Sequence, residues 1–153
     1  MAGQVNKQGA MGISSGNVQE NLLPTAFIDT INQVNPAQGP VPGGVSIPLG
    51  GVAVNFSPLI VPGWVRVQNL DPVCWVEYGV KDNNTGNFYP LGIVKPNLYH
   101  EFYFSPNLGK AEEPGTGTHE SGTNTSFYLK AYSGAPPSSA KAACNAVVKA
   151  YEA

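Results

Sequence analysis

Apolar and polar residues alternate in short runs after Val52, and turn residues separate the runs about every 8 to 12 positions. Successive side chains of a strand point to opposite faces, so each run predicts a strand with one face toward a core. The predicted strands are Trp64 to Leu70, Val73 to Val80, Phe88 to Val94, Leu98 to Phe104, Ser126 to Tyr132 and Ala143 to Ala153. The pattern predicts an all-β, antiparallel β-sandwich, although ANAVVKAYEA in the last run also admits a helix.

The residues between these runs have the chemistry of turns. Asn69, Asp71 and Pro72 supply turn chemistry at the end of the first strand. The segment KDNNTGN predicts a hairpin turn because Asn, Asp and Gly tolerate positive φ. Ser105 to Thr125 is long, polar and rich in glycine. Since most connections have only about 4 to 6 residues, this loop is predicted either to move or to make contacts.

The first third of the chain has a different composition. Met1 to about Gln19 is small, polar and aperiodic, which predicts no packed structure of its own. Leu22 to Val34 predicts a short helix or an extended piece, and the prolines of NPAQGPVPGGVSIPLGG exclude a helix or a central strand. The sequence therefore predicts an extended, Pro/Gly-rich N-terminal arm over residues 1–50 and a β-sandwich domain over residues 51–153.

Charge and hydropathy limit the partners. Charged residues make up 12% of the chain, its net charge is −2, and it has no cluster of Lys and Arg, so neither nucleic acid nor an anionic membrane surface is an expected partner. No apolar run approaches the roughly 20 residues that span a bilayer. The N-terminus lacks the apolar core of a secretory signal, which predicts synthesis in a cytoplasm.

Motifs for enzymatic chemistry are weak. Gly12 to Gly16 fits G-x-S-x-G, but no predicted strand precedes it, so a linker is the favoured interpretation. The pairs His100-Glu101 and His119-Glu120 have no further ligands or nucleophile at a useful spacing. Gly109-Lys110 lacks the remaining residues of a nucleotide-binding loop. We expect no catalytic residue and no enzymatic activity.

Metal binding has equally little support. Asp82, Asn84 and Gly86 are spaced like the start of a calcium loop, but Ile93 stands where the bidentate acid belongs, so a hairpin turn explains them better. Cys74 and Cys144 are too far apart for a CxxC pair, and two buried thiols are favoured, with their pairing left open. We expect no metal and no cofactor.

Tyrosines on the outward positions of the predicted strands suggest contact with another molecule. A charge-poor surface rich in tyrosine favours a protein interface, although it could also stack on sugar rings as in a lectin-like module. For any single aromatic residue, ordinary packing inside the sandwich is the alternative. Together with apolar residues of the N-terminal arm, the residues predicted at the interface are Phe27, Ile28, Ile31, Val41, Ile47, Tyr128, Tyr132 and Tyr151.

The order of the strand segments resembles that of small virion proteins of tailed bacteriophages. The segments that carry the resemblance are WVRVQNLDPVCWVEYGV, NFYPLGIVKPNLYHEFYFSP, SFYLKAYSG and AVVKAYEA, which lie between Trp64 and Ala153. Cys74 and the loop from Ser105 to Thr125 depart from the pattern of that family.

The resemblance implies a jelly-roll-like β-sandwich that decorates or cements a capsid, or sits in another head or tail appendage. It implies no catalytic residues. We therefore expect a non-enzymatic virion protein, assembled in the host bacterial cytoplasm as a homo-oligomer, with the major capsid protein or other virion subunits as partners. The alternative is a carbohydrate-binding or receptor-binding module of a phage fibre.

Overall fold

All regular elements that the structure describes are strands. The structure is a computed structural model, which describes residues 2–7, 11–15, 18–22, 27–32, 41–57, 59, 62–105, 125–141 and 143–152. The chain divides into two compact units, Met1–Pro36 and Ala37–Ala153. Within the described ranges, no helix is long and apolar enough to cross a membrane.

The described residues of the first unit form four strands in two antiparallel pairs. They are β1 (Ala2–Lys7), β2 (Met11–Ser15), β3 (Val18–Leu22) and β4 (Phe27–Asn32). Strand β1 pairs with β4, and β2 pairs with β3. The sequence predicted no regular structure over the first 19 residues. Backbone pairing needs no apolar periodicity, so the sequence pattern carried no signal for these strands.

In the part of the second unit that the structure describes, eight strands form two antiparallel four-stranded sheets. The strands are β5 (Val41–Ile47), β6 (Val52–Ala53), β7 (Pro62–Asn69), β8 (Trp75–Asp82), β9 (Phe88–Val94), β10 (Tyr99–Tyr103), β11 (Thr125–Tyr132) and β12 (Cys144–Glu152). Sheet I has the order β10-β7-β12-β5, and sheet II has the order β6-β11-β8-β9. The all-β, two-sheet sandwich expected from the alternating pattern is confirmed, and the last segment is a strand.

The strand pairs of the sandwich are nested along the chain. The innermost pair is the hairpin β8–β9, followed outward by β7–β10, β6–β11 and β5–β12. Two further pairs, β8–β11 and β7–β12, complete the sheets. The first and last strands of the unit are therefore neighbours.

The core lies between the two sheets and is almost entirely apolar. Its side chains come from alternate positions of the strands, as the period of two requires. The buried residues include Val65, Val67, Val76, Val94, Phe127, Leu129, Ala131, Ala146 and Val148. Rings of Phe104 and Phe127 meet edge to face at 5.0 Å, a favoured arrangement for aromatic pairs.

The sandwich begins earlier than the boundary predicted at residue 51. Strand β5 pairs with β12 at the edge of sheet I, and Ile47 at its end is completely buried. Proline is tolerated on an edge strand because one row of its backbone groups has no ladder partner, so Pro42 does not prevent β5 from forming. Ile47 was predicted at an interface, and this assignment is corrected: it is a core residue with no exposed surface.

The predicted turns are present. At the β8–β9 hairpin, Asp82 Oδ1 accepts the backbone N–H of Asn84 at 2.8 Å, and Gly86 has a φ of 77°. After β7, Asp71 Oδ1 accepts the N–H groups of Val73 and Cys74, both at 2.8 Å. These side-chain acceptors replace missing strand bonds, as Asx turns do.

Candidate interaction surfaces

The outer face of sheet I carries exposed aromatic side chains at one edge. Strand β10 alternates, so that Phe102 and Phe104 face the core while Tyr99, Glu101 and Tyr103 face outward. Tyr99 is 51% exposed and Tyr103 is 48% exposed. This division follows from the alternation of side chains along a strand.

Strand β7 supplies the neighbours of these outward residues. Trp64 lies opposite Tyr103 and Arg66 lies opposite Glu101 in the antiparallel register. The Trp64 and Tyr103 rings meet edge to face with centroids 5.4 Å apart. The Arg66 guanidinium forms an ion pair with Glu101 and lies 4.6 Å from the Tyr99 ring centroid. We name the set Trp64, Arg66, Tyr99, Glu101 and Tyr103 the sheet I patch.

The sheet I patch combines apolar rings with a neutralised charge pair. A face of this kind loses little solvation free energy when it is covered, because its charges already have partners. On the same outer face, Lys149 of β12 lies opposite Arg66. Tyr151, a residue predicted at the interface, follows Lys149 by two positions on β12 and is half-buried.

The outer face of sheet II also has aromatic rings, but they are engaged within the sheet. The Tyr128 hydroxyl donates to the Gly50 carbonyl at 3.1 Å. A Cβ atom at Gly51 would come within 2.5 Å of the Tyr128 ring, so this glycine allows the ring to lie against the backbone. The Lys81 ammonium lies 4.6 Å from the centroid of the same ring.

Tyr132 is anchored in a similar way. Its hydroxyl donates to Glu77 Oε2 at 2.9 Å across the β8–β11 pair. Burial, together with the adjacent carboxylate, raises the pKa of Tyr132 to about 12. Tyr128 and Tyr132 therefore lie on an outer face, as predicted, but both are half-buried and hydrogen-bonded within the chain.

The side chains of the remaining residues predicted at the interface fall outside the described part. Phe27, Ile28 and Ile31 are on β4 of the first unit, and Val41 is the first residue of β5. The interface residues predicted from the sequence did not include Trp64, Tyr99 or Tyr103. Alternation along β10 places Tyr99 and Tyr103 on its outward face, but alternation does not show that β10 is an edge strand.

The side chains of His100 and Glu101 do not converge on one point. His100 Nδ1 lies 3.3 Å from the Tyr78 hydroxyl, and burial lowers the pKa of His100. Glu101 points to the opposite face of the same strand, as expected. Gly12 to Ser15 belong to strand β2. Gly16, Gly109-Lys110 and His119-Glu120 lie outside the described residues.

Cys74 and Cys144 form a disulfide between residues 70 positions apart. Both residues are completely buried, so the expected burial is confirmed and the favoured unpaired state is corrected. The disulfide joins the start of β12 in sheet I to the residue before β8 in sheet II. The sequence could not show this pairing because it depends on how the two sheets stack.

One group of potential metal ligands in the described part includes both cysteines of the disulfide. Ligand atoms of Asp71, Cys74 and Cys144 lie within 4.8 Å of one another. Metal binding by cysteine requires thiolates, and both sulfurs are bonded to each other here. Backbone N–H donors of Cys74 and Val73 lower the pKa of Asp71, which explains its carboxylate without a cation.

The second unit belongs to the class of antiparallel, two-sheet β-sandwiches. Comparisons with protein-family models, with curated proteins and with solved structures find no match for the chain.

Proposed function

We propose that the sandwich is an eight-stranded jelly roll. Sheet I contains the first, third, sixth and eighth strands of the unit, and sheet II contains the second, fourth, fifth and seventh. This arrangement is produced when nested hairpin pairs wrap around a barrel. Jelly rolls of this kind serve as viral capsid domains, lectin domains and cupins. The nested strand order is the observation on which our proposal rests.

The interior of the sandwich favours a structural role over a cupin-like enzyme. The only buried polar side chain among the described residues is that of Asn69. A metal-dependent site in such a barrel needs several inward-facing histidines or carboxylates around one point. The described strands instead direct valine, leucine, phenylalanine and alanine inward.

We therefore propose that the chain is a non-enzymatic structural protein of a tailed-bacteriophage particle. In this role it binds the major capsid protein or other virion subunits and stabilises the head lattice. The strand segments that resemble phage virion proteins, the charge-poor composition and the sheet I patch support this role. Repeated copies on a symmetric shell make weak single contacts sufficient, because avidity multiplies them.

The proposal is tested by removing and restoring the protein on particles purified from cells that produce it. Particles stripped of the chain should lose their resistance to heat or to low salt, and adding back the full-length chain should restore it. The matched control is the Asn83→Ala chain, which changes one exposed turn residue and should restore equal resistance. Equal resistance of stripped and complete particles would contradict a stabilising role.

A carbohydrate-binding module of a fibre is the second candidate, and the exposed rings of Tyr99 and Tyr103 favour it. Aromatic faces stack on sugar rings, but Arg66 already covers one face of Tyr99. Glycan-array binding that disappears in both Tyr99→Ala and Tyr103→Ala, with Tyr89→Ala as the exposed control, would establish this function. Absence of glycan binding by the intact chain would exclude it for the glycans on the array.

A further inference from the structure

The four edge strands of the sandwich differ in how their free edges are protected. A free edge can pair with another chain unless proline, a bulge or very short length prevents it. Strand β5 contains Pro42 and a left-handed Gly43 with φ of 90°, and β6 has only two residues. Strand β9 contains Pro90, and its ladder with β8 has a register shift.

Strand β10 has none of these protections. It is a regular five-residue strand, YHEFY, without proline, lysine or a register shift against β7. Its single charged residue, Glu101, is neutralised by Arg66 on the outer face. No strand of the described part pairs with its other side. We propose that this edge pairs with β10 of a second copy of the chain, which goes beyond the proposed function.

The ladder with β7 fixes which backbone groups are available. Asn69 N–H donates to the Leu98 carbonyl, and Phe104 N–H donates to the Gly63 carbonyl, both at 2.9 Å. Bonded pairs alternate along an antiparallel ladder, so the even-numbered residues of β10 bond to β7. The N–H and C=O groups of Tyr99, Glu101 and Tyr103 therefore point to the free edge.

A two-fold axis through Glu101 makes this edge complementary to itself. Tyr99 then lies opposite Tyr103 of the second copy, and Glu101 lies opposite its own equivalent. Every outward N–H faces an outward C=O, because all three residues are at hydrogen-bonded positions of the new ladder. Sheet I becomes a continuous eight-stranded sheet, and the interface is of the closed, isologous type.

The side chains of the sheet I patch suit this pairing. Tyr99 and Tyr103 are each about half exposed in one copy. Pairing brings Tyr99 of one copy against Tyr103 of the other, beside Trp64. Aromatic cross-strand pairs stabilise antiparallel ladders. The two Glu101 carboxylates lie side by side in the proposed dimer. Within each copy, Arg66 lies opposite Glu101 on the next strand, and Lys149 lies opposite Arg66 on the strand after that. The flanking cations offset the repulsion between the carboxylates.

The first test is the mass of the full-length chain in solution over a series of concentrations. The intact chain should dimerise, and Tyr99→Lys with Tyr103→Lys should abolish the dimer, because lysines then face each other at two positions. Tyr89→Lys with Leu91→Lys is the control, since it adds the same charge to exposed residues of the proline-containing edge β9. The control chain should still dimerise, and circular dichroism should be the same for all three chains.

The second test fixes the register by disulfide trapping. Glu101→Cys should crosslink with itself, because opposite residues at a hydrogen-bonded position are about 5.5 Å apart at Cα. Tyr99→Cys should crosslink with Tyr103→Cys in a mixture but not with itself. The native cysteines are joined to each other and do not compete. An intact chain that stays monomeric at every concentration, a dimer unaffected by the lysine pair, or crosslinks in another pattern would overturn the proposal, independently of particle binding.

Discussion

Asn69 is the only polar side chain that is completely buried among the described residues, and its removal is the sharpest test of the fold. It ends β7 in sheet I. Its Nδ2 atom donates to the carbonyl of Cys74 at 2.7 Å and to that of Val94 in sheet II at 3.3 Å. Its Oδ1 atom accepts the N–H of Asp71 at 3.0 Å. One amide thus joins the two sheets and the turn that connects them.

Replacing Asn69 with Ala removes the side-chain partner of these three backbone groups. Each buried, unpaired carbonyl costs about 1–3 kcal/mol. The carbonyl of Cys74 loses its donor at 2.7 Å, whereas Val94 remains paired with Val76 in the β8–β9 ladder and the N–H of Asp71 is only partly buried and can reach water. We expect Asn69→Ala to lower the free energy of unfolding by about 1–3 kcal/mol. Asn69→Asp should cost at least as much, because a carboxylate would face two carbonyl oxygens.

The assay is urea denaturation of the full-length chain without reductant, followed by tryptophan fluorescence. Asn83→Ala is the matched control, because Asn83 is an exposed asparagine that bonds to the Ser126 hydroxyl at 3.0 Å. Changes at such surface positions stay within about 0.5 kcal/mol. A loss below about 1 kcal/mol for Asn69→Ala, or equal losses in both variants, would refute the role assigned to the buried amide.

Three further predictions follow from single contacts. Reduction of the Cys74–Cys144 disulfide, whose loop spans 70 residues, should lower the free energy of unfolding by about 4 kcal/mol. An oxidised chain that still shows two free thiols on thiol titration would contradict the presence of this disulfide. The raised pKa of Tyr132 means that its neutral phenol stabilises the fold below pH 10, and this contribution is lost as the pH rises to about 12. Denaturation across that pH range should show no such loss for Tyr132→Phe. The same pH profile for the variant and the intact chain would count against this role. Gly79→Ala should destabilise the sandwich by about 1–3 kcal/mol because its Cβ would collide with the Tyr89 carbonyl. The control in thermal unfolding is Gly44→Ala, because a Cβ at Gly44 meets only open space. Equal unfolding midpoints for the two variants would be the contrary result.

The alternation of apolar and polar residues carried most of the information about the fold. It predicted the six strands from β7 to β12 to within about two residues at each end, which is the usual uncertainty of such boundaries. The turn at Asp82 to Gly86 and the two faces of β10 followed from the same local chemistry. These features depend on neighbouring residues, and for this reason a single sequence contains them.

Features that depend on distant residues were missed. Strand β5 carries Pro42 and two glycines, so its sequence indicates no strand, and only its pairing with β12 about a hundred residues later forms it. Strand β6 is too short to produce a period. The Cys74–Cys144 disulfide and the buried position of Ile47 likewise follow from the stacking of two sheets.

Prediction of the candidate surface was also limited, because its contacts depend on residues that are distant in the sequence. The tyrosines at 128 and 132 were correctly placed outward, but their hydrogen bonds to Gly50 and Glu77 arise from the paired sheets. Tyr99 and Tyr103 are more exposed because β10 ends its sheet, and the order of strands in a sheet cannot be read from alternation.

Electron cryomicroscopy of particles purified from cells that produce the chain would show whether the protein is a subunit of the virion. We expect density for an eight-stranded sandwich at regularly repeated positions on the particle, in contact with other virion subunits. Particles that show no such density, while the chain is found only in the unassembled fraction, would contradict it.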